Sequence, residues 1–303
     1  MADDGRMRVR VGGYHWSVRR WGSCIRNDQA TVVALHGFAG TGDDFAPLLC
    51  GPHAIPGPWL TCDIIGHGNS DAPEAARAYD MAAVADALAE LLATVITGPY
   101  ILLGYSMGGR LALSTLLGDT QVRWPRPAGV VLIGATPGIA DPKLRARRRL
   151  EDEHLAAQLL THGIEWFAEY WATRPVLAGK RRIPTEHRQA METRLRAQRP
   201  EGLARSLRGM GTGAMPPLWD ALQQPDNLDN LDNLDNLDNL DMPTLMVTGA
   251  QDRKFTAIAE EVCAAAPRVE RVTLDGVGHT AHLEAPVAFA TAFDRWRMRK
   301  LGA

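Results

Sequence analysis

Cysteine is scarce in this chain of 303 residues, and the four cysteines form no recognisable set. Neither a Cys-x-x-Cys pair nor a zinc-like spacing occurs among Cys24, Cys50, Cys62 and Cys263. A disulfide framework and a zinc site are therefore not indicated. Free thiols are typical of proteins in the reducing cytosol.

Long apolar runs are also missing. No stretch approaches the length of a membrane-spanning helix, and the residues after Met1 lack the apolar core of a signal peptide. We therefore expect a cytoplasmic protein with no membrane partner.

Neither sign of charge is in large excess, since 33 Lys and Arg face 35 Asp and Glu for a formal net charge of -2. This balance argues against nucleic acid as a partner. Hydrophobic residues make up 46% of the chain, which is enough for a substantial core. We expect one α/β domain carrying an insertion, as a monomer or a small homo-oligomer.

What the chain does contain is an alternation of strand and helix patterns. Residues 7–21 alternate like an antiparallel hairpin that turns at Gly12-Gly13. Residues 80–97 and 283–299 show helical spacing. Further strands are predicted near 31–35, 59–63, 100–104, 129–134, 244–249 and 270–274. This order predicts a mainly parallel sheet flanked by helices.

The long segment after the strand near 129–134 has no convincing strand pattern. It is rich in arginine and has helical patterns over 143–162, 164–171 and 186–199. We expect a helical cap inserted after the sixth strand, with most of its arginines on a solvated surface balanced by acids. The predicted division is therefore 1–136 for the first part of the core, 137–242 for the cap and 243–303 for the second part.

The end of this segment, Asp226 to Leu240, repeats Asp-Asn-Leu five times. A period of three does not keep leucines on one helical face, and Asp and Asn disfavour helix interiors. The repeat lacks the glycine and terminal glutamate of an EF-hand loop, so a calcium site is the weaker interpretation. We expect a surface extension and no metal site.

The motif with the clearest chemical meaning is Gly104-Tyr105-Ser106-Met107-Gly108, which follows an apolar run and precedes a helical pattern. Gly-x-Ser-x-Gly in this context is typical of a nucleophile elbow, a tight turn that lifts a serine hydroxyl out of the sheet. Ser106 is the predicted nucleophile or proton relay.

Two partners for Ser106 follow at the ends of later strands. Asp252 ends the strand pattern near 244–249, and His279 follows the one near 270–274. Ser, Asp, His is the chain order of the α/β-hydrolase triad, in which the histidine is the general base and the acid orients it. His282 and Asp275 are weaker alternatives, because His282 is expected in the closing helix and Asp275 precedes the turn.

An oxyanion hole is also predicted. His36-Gly37-Phe38 follows the strand near 31–35, so the Phe38 amide can point into the same pocket as the Met107 amide. Two such donors stabilise negative charge that develops on a substrate oxygen. We expect His36 and His67 to shape loops rather than to catalyse.

Three segments together resemble the MenH family, the 2-succinyl-6-hydroxy-2,4-cyclohexadiene-1-carboxylate synthases of menaquinone biosynthesis. They are Gly104 to Arg110, Gly249 to Phe255 and Gly278 to Glu284. The features that distinguish them from a general esterase are Arg110 after the double glycine, the Asp-x-Lys-Phe pattern and the His-x-x-His-x-Glu pattern. The cap adds Ala146 to Arg149 and Tyr170-Trp171, which are similar to family segments that contact substrate.

The resemblance implies a substrate with several carboxylates, from which pyruvate is expelled after a base removes a ring proton. Serine would then relay the proton to His279 without forming an acyl-enzyme, and no cofactor is expected. Guanidinium groups bind carboxylates at two points. The substrate-binding residues implied in this way are Tyr105, Arg110, Arg148, Trp171 and Arg196.

Two other functions use the same residues. A carboxylesterase or related serine hydrolase would form an acyl-Ser106 intermediate and would need fewer cations in the cap. A hydrolase-fold receptor would bind a small ligand without turnover, even with the triad retained.

Overall fold

One eight-stranded sheet organises the computed structural model, which describes residues 5–22, 30–50, 54–223, 240 and 242–302. Its strands lie in the order β1-β2-β4-β3-β5-β6-β7-β8. In chain order they are β1 (Arg6–Val11), β2 (Tyr14–Trp21), β3 (Thr31–Leu35), β4 (Trp59–Asp63), β5 (Tyr100–Tyr105), β6 (Gly129–Ile133), β7 (Thr244–Gly249) and β8 (Val269–Leu274).

The predicted sheet is confirmed. β1 and β2 form an antiparallel hairpin, and β2 also pairs antiparallel with β4. The remaining neighbours, from β4 to β8, are all parallel. Gly12 and Gly13 have φ angles of 57° and 82°, the left-handed conformations that a two-residue hairpin turn needs.

Helices cover both faces of this sheet. They are α1 (Ala46–Leu49), α2 (Met81–Val95), α3 (Met107–Leu117), α4 (Pro142–Ala172), α5 (Thr185–Arg196), α6 (Pro200–Met210), α7 (Trp219–Gln223), α8 (Arg253–Ala265), α9 (Ala281–Glu284) and α10 (Pro286–Leu301). Short 3₁₀ helices lie at Gly42–Phe45, Ala76–Tyr79 and Pro175–Arg182.

The hydrophobic core has two parts, one on each face of the sheet, because successive side chains of the central strands point to opposite faces. Leu102 of β5 faces α2, α3 and α8, whereas Ile101 and Leu103 face α1, α9 and α10. Because β5 is buried on both faces, it is a continuous apolar run rather than an alternating one. Because β5, β7 and β8 run in the same direction, their carboxyl ends lie at one edge of the sheet.

The prediction of one closing helix over 283–299 is wrong at its start. The structure has α9 and then α10, separated by Ala285, whose φ and ψ are -139° and 66°. Pro286 is the cause, because proline lacks an amide hydrogen and favours the first position of a new helix.

Cap helices α4 to α7 lie between β6 and β7, as the sequence predicts. Gly163, with φ of 80°, interrupts α4 at the predicted break between 143–162 and 164–171. A small core of this region joins Phe167 of α4 and Leu203 of α6 to Ala39. The cap helices are thereby packed over the loop that follows β3. The domain boundaries at 136/137 and 242/243 stay predictions.

Most of the Asp-Asn-Leu repeat, residues 226–239, lies outside the described residues. Its last leucine, Leu240, is 5% exposed and packs in the main core with Leu218 and Met242. The predicted surface extension and the weaker calcium interpretation both stay untested.

No helix in the described ranges combines the length and the apolar character needed to cross a membrane.

Candidate active site

The turn at Ser106 has the geometry of a nucleophile elbow. Ser106 joins β5 to α3 with φ of 50° and ψ of -107°, a conformation that costs energy for any residue with a side chain. A Cβ on Gly104 would lie 2.5 Å from the Cα of Gly109, and one on Gly108 would lie 2.2 Å from the oxygen of Leu35. The glycines of the motif are therefore required for the turn to close.

The structure brings Ser106, His279 and Asp252 together from the ends of β5, β8 and β7. His279 Nε2 lies 3.0 Å from Ser106 Oγ, and His279 Nδ1 lies 2.6 Å from Asp252 Oδ2. With its proton on Nδ1, the imidazole donates to Asp252 and accepts from the serine hydroxyl. This is the hydrogen-bond pattern of a general base that a carboxylate orients.

The two alternatives lie elsewhere. His282 is buried between the rings of Tyr105 and Phe45, and its Nδ1 has no hydrogen-bond partner in the described part of the chain. Asp275 is exposed at the end of β8. Neither contacts the hydroxyl of Ser106 among the described hydrogen bonds.

The loop that carries His279 is held by Glu284. The buried carboxylate of Glu284 accepts hydrogen bonds from the amides of Gly278 (2.7 Å) and Thr280 (3.1 Å). Arg182 of the cap lies 3.2 Å from the same carboxylate and also donates to Gln251, beside Asp252. One cap arginine thus joins the two loops that supply the histidine and the acid.

We expect Glu284→Gln to lower kcat about tenfold and the free energy of unfolding by about 1–3 kcal/mol. Glutamine can replace one carboxylate oxygen as an acceptor but leaves the other backbone amide facing an NH₂ group. Steady-state kinetics and chemical unfolding measure the two effects. Glu260→Gln, at an exposed ion pair with Arg271, is the matched control and is expected to change neither. Equal behaviour of both variants would contradict the positioning role.

The predicted oxyanion donors border the same cavity as Ser106. Met107 is the first residue of α3, so its amide has no acceptor within the helix. Phe38 follows β3, where His36 steadies the loop by accepting a hydrogen bond from the Ile64 amide at Nε2 (3.0 Å). His36 therefore shapes the loop, as the sequence predicts. The oxyanion role of the two amides stays a prediction.

A main cavity of about 950 Å³ opens above Ser106 and His279, between the sheet and the cap. It is large for a small-molecule site. Arg110, Arg148, Tyr105 and Trp171 all border it. Four of the five predicted substrate-binding residues are thus brought together.

Arg110 is the most unusual charge in this cavity. It is 8% exposed, and its guanidinium donates to the carbonyl of Met210. No carboxylate of the described residues lies within 4.0 Å of it. Burial, with a smaller contribution from nearby Arg148, lowers the pKa of Arg110 to about 10. The group still carries its charge at neutral pH. The carboxylate of Asp152 is near enough to favour that charge, but among the described residues it forms its ion pair with Arg148 and not with Arg110.

Arg148 is close to Arg110 but already has a partner, since its Nε lies 2.8 Å from Asp152 Oδ1. The other oxygen of Asp152 is buried without a hydrogen bond. The two arginines and one carboxylate leave this end of the cavity with an excess of positive charge. An anionic ligand would compensate it.

An aromatic wall closes one side of the cavity. Trp171 stacks on Phe167 and meets the edge of Phe38, with ring centroids 5.5 Å and 5.4 Å apart. The hydroxyl of Tyr105 lies 3.2 Å from that of Thr280, and burial raises the pKa of this tyrosine above its ordinary value.

Arg196 lies away from the main cavity. It forms ion pairs with Glu165 and with Glu192, the latter at 2.9 Å, at the end of α5. These pairs satisfy its charge on the cap surface, so the structure does not bring it to the other predicted binding residues.

Comparison with known proteins supports the α/β-hydrolase fold. Residues 32–292 match the family described as the alpha/beta hydrolase family. A solved structure of MenH from S. aureus superimposes with a TM-score of 0.80, at 25% identity, over 95% of this chain and 99% of that one.

Two sequence relatives decide the family. A protein of Bacillus subtilis (strain 168), named provisionally as 2-succinyl-6-hydroxy-2,4-cyclohexadiene-1-carboxylate synthase, is 32% identical over 87% of this chain and 88% of its own length. The synthase of the same name from Photorhabdus laumondii is 30% identical over 89% of this chain and 86% of its own length. The chain belongs to the MenH family of α/β-hydrolases.

In this MenH family member the Asp-x-Lys-Phe pattern has a visible role. The ring of Phe255 packs on His279, with centroids 4.5 Å apart, and Lys254 borders the main cavity. Both residues belong to the pattern that carries the resemblance, but neither is among the predicted site residues. Their place in the sequence could have indicated this role, because both directly follow Asp252, in the first turn of α8.

The described residues of this MenH chain contain no group of three histidine, cysteine or carboxylate side chains that could hold a metal ion.

Two buried histidines beside the site predict a loss of stability in acid. Burial lowers the pKa of His67 and of His282 to about 3, and His36 and His279 respectively add to it. The unfolded chain binds a proton at each near pH 6.5 while the folded one does not. Stability is therefore fully present above about pH 6.5 and falls as the pH drops toward 3, by about 1.4 kcal/mol per pH unit per histidine.

Denaturant unfolding at about pH 7 and about pH 5 measures this effect, which we expect to total about 4 kcal/mol for the two histidines. Ordinary carboxylates titrate at lower pH and contribute little in this window. The His282→Gln variant should lose only its own share of the slope, because burial also lowers the pKa of His36, which adds to the total. A pH-independent free energy of unfolding in this window would show that the buried histidines are not neutral.

Proposed function

We propose that this protein is a 2-succinyl-6-hydroxy-2,4-cyclohexadiene-1-carboxylate synthase, a carbon–oxygen lyase of menaquinone biosynthesis that eliminates pyruvate from a polycarboxylate. The observation that carries the proposal is the pairing of two features in one cavity. Arg110, buried and with no ion pair to a carboxylate of the described residues, borders the same cavity as the Ser106–His279 hydrogen bond. A site built only for neutral esters has no use for such a charge.

The proposed step is a proton transfer followed by loss of the leaving group. Ser106 Oγ takes a proton from the substrate ring as its own proton passes to His279 Nε2. Asp252 stabilises the imidazolium that results. The electron pair left by the proton forms the new double bond and breaks the carbon–oxygen bond, so that the leaving group departs as the enolate of pyruvate. This enolate takes up the proton held on His279, becomes pyruvate and restores the neutral imidazole. No acyl-enzyme is formed.

The other groups have electrostatic and positioning roles. The amides of Phe38 and Met107 donate to the oxygen on which negative charge develops. Arg110 and Arg148 hold carboxylates of the substrate, and the rings of Tyr105 and Trp171 pack against its body. The relatives named above as synthases support this assignment.

Release of pyruvate from the enolpyruvyl precursor tests the proposal, with the purified protein coupled to lactate dehydrogenase. We expect turnover that depends on enzyme concentration, together with the product's conjugated-diene absorbance. Pyruvate release at the uncatalysed rate, with burst hydrolysis of a p-nitrophenyl ester, would instead support a serine hydrolase. Saturable precursor binding with neither activity would support a receptor.

A further inference from the structure

A second cavity of about 330 Å³ lies behind the aromatic wall. Five residues border both cavities, namely Gly37, Phe38, Tyr105, Trp171 and Leu177. Its far side is formed by the 3₁₀ helix Pro175–Arg182 and by α5. The volume lies within the range of small-ligand pockets, yet none of the proposed chemistry uses this space.

The carboxylates at this second cavity are already engaged. Asp44 pairs with Arg194 at 2.8 Å and accepts a hydrogen bond from the Thr41 amide. Glu192 pairs with Arg196 at 2.9 Å. Neither of these arginines borders the cavity, so the two acids are neutralised from outside.

The cations that border the second cavity have no such partners. Lys180, Arg181 and Arg188 all line it, and no carboxylate in the described part of the chain lies within 4.0 Å of any of them. Arg188 donates only to the carbonyl of Arg181 and the hydroxyl of Thr185. The cavity therefore carries an excess of positive charge.

Lys180 is half-buried and borders this pocket. Burial lowers the pKa of its ammonium group, and Asp44, already paired with Arg194, opposes this only in part. A partly desolvated charge without an ion-pair partner is unfavourable, and an anion that pairs with it offsets that cost. Apolar side chains line the same cavity, including Phe45, Met191 and Leu195. Besides Lys180 and the two arginines, the pocket thus offers an apolar surface.

We propose that the second cavity is a binding site for a small monocarboxylate, whose carboxylate pairs with Lys180 and whose body lies against the apolar lining. The site differs from the one at Ser106, because Lys180 borders only the second cavity and Ser106 borders only the main one. Pyruvate belongs to this ligand class. The proposal rests on Lys180 and its cavity alone, so it holds whatever reaction occurs at Ser106.

The test is calorimetric titration of the full-length protein with pyruvate at neutral pH. Because pyruvate can also bind in the main cavity, the titrations use the Arg110→Met protein, which removes the unpaired cation there. We expect this protein to bind pyruvate and to bind the neutral analogue pyruvamide at least about tenfold more weakly. Adding Lys180→Met should raise the Kd for pyruvate at least about tenfold.

Two variants in the same background serve as controls. Lys143→Met removes an exposed lysine of α4 that borders neither cavity and should change the Kd less than about twofold. Lys180→Arg keeps the charge and should keep binding. The proposal is wrong if the Arg110→Met protein binds no pyruvate at about 10 mM, if pyruvamide binds equally well, or if Lys180→Met leaves the Kd unchanged. Pyruvate release by the wild-type protein is measured separately, so either proposal can fail alone.

Discussion

Replacing Ser106 with alanine is expected to lower kcat/KM for the release of pyruvate by roughly 10⁴-fold or more. His279 Nε2 lies 3.0 Å from the serine oxygen and has no other route to the substrate proton in the proposed step. Without the hydroxyl, both the relay and the position of the base are lost. Steady-state kinetics of the purified variant, coupled to lactate dehydrogenase, measure the change.

The same chemistry predicts that the triad acts as a unit. His279→Ala should lose about as much activity as Ser106→Ala, and the double variant should be no worse than either alone, because each change removes the same proton transfer. Additive losses would mean that the two residues act in separate steps.

Ser114→Ala is the matched control for these variants. Ser114 lies on α3, the helix that begins directly after the elbow, and its buried hydroxyl has no hydrogen-bond partner among the residues that the structure describes. Its removal should leave kcat/KM within about twofold of wild type. Wild-type activity in Ser106→Ala would remove the basis of every enzymatic interpretation of this cavity.

The residues at the sheet edge could be predicted from sequence because their signals are local. A buried central strand such as β5 must be apolar throughout, and the turn after it must have glycine at 104 and 108. Asp252 and His279 follow β7 and β8 in the same way. Because these strands are parallel, their carboxyl ends meet at one edge of the sheet, and the fold thereby brings together the three residues that are far apart in the sequence.

Arg110 and Arg196 differ in how far the local sequence determines the position of the side chain. Arg110 lies one helical turn after Ser106, so the geometry of the elbow fixes the direction of its side chain. Arg196 ends α5, and its position depends on how the cap helices pack on one another. That packing pairs Arg196 with Glu165, which is 31 residues away in the chain. Resemblance alone could not place this side chain.

Contacts between the cap and the core could not be predicted from the sequence either, because they also depend on how distant segments pack together. Arg182 reaches Glu284 across 102 residues of chain, and the unpaired Lys180 becomes visible only when its neighbours are known. The break between α9 and α10 is different, because Pro286 was a usable signal in the sequence.

Replacing Arg110 with methionine is expected to lower kcat/KM for the polycarboxylate precursor roughly 30- to 1000-fold, which corresponds to a loss of about 2–4 kcal/mol of transition-state stabilisation. Hydrolysis of any neutral p-nitrophenyl ester should change little. Methionine keeps much of the volume but removes the charge that would pair with a substrate carboxylate. Arg110→Lys keeps the charge without the two-point geometry and should fall between methionine and wild type.

Kinetics on both substrates, with the melting temperature as a check on folding, decide the role of Arg110. Arg196→Met is the matched control: it removes an arginine from the cap surface whose charge Glu165 and Glu192 already satisfy, and should change kcat/KM by less than about twofold. If Arg110→Met weakens ester hydrolysis as much as pyruvate release, its guanidinium supports the cavity rather than the substrate's carboxylates. If Arg196→Met instead causes the larger loss on the precursor, the cap must close further over the substrate than it does here, bringing Arg196 to the site.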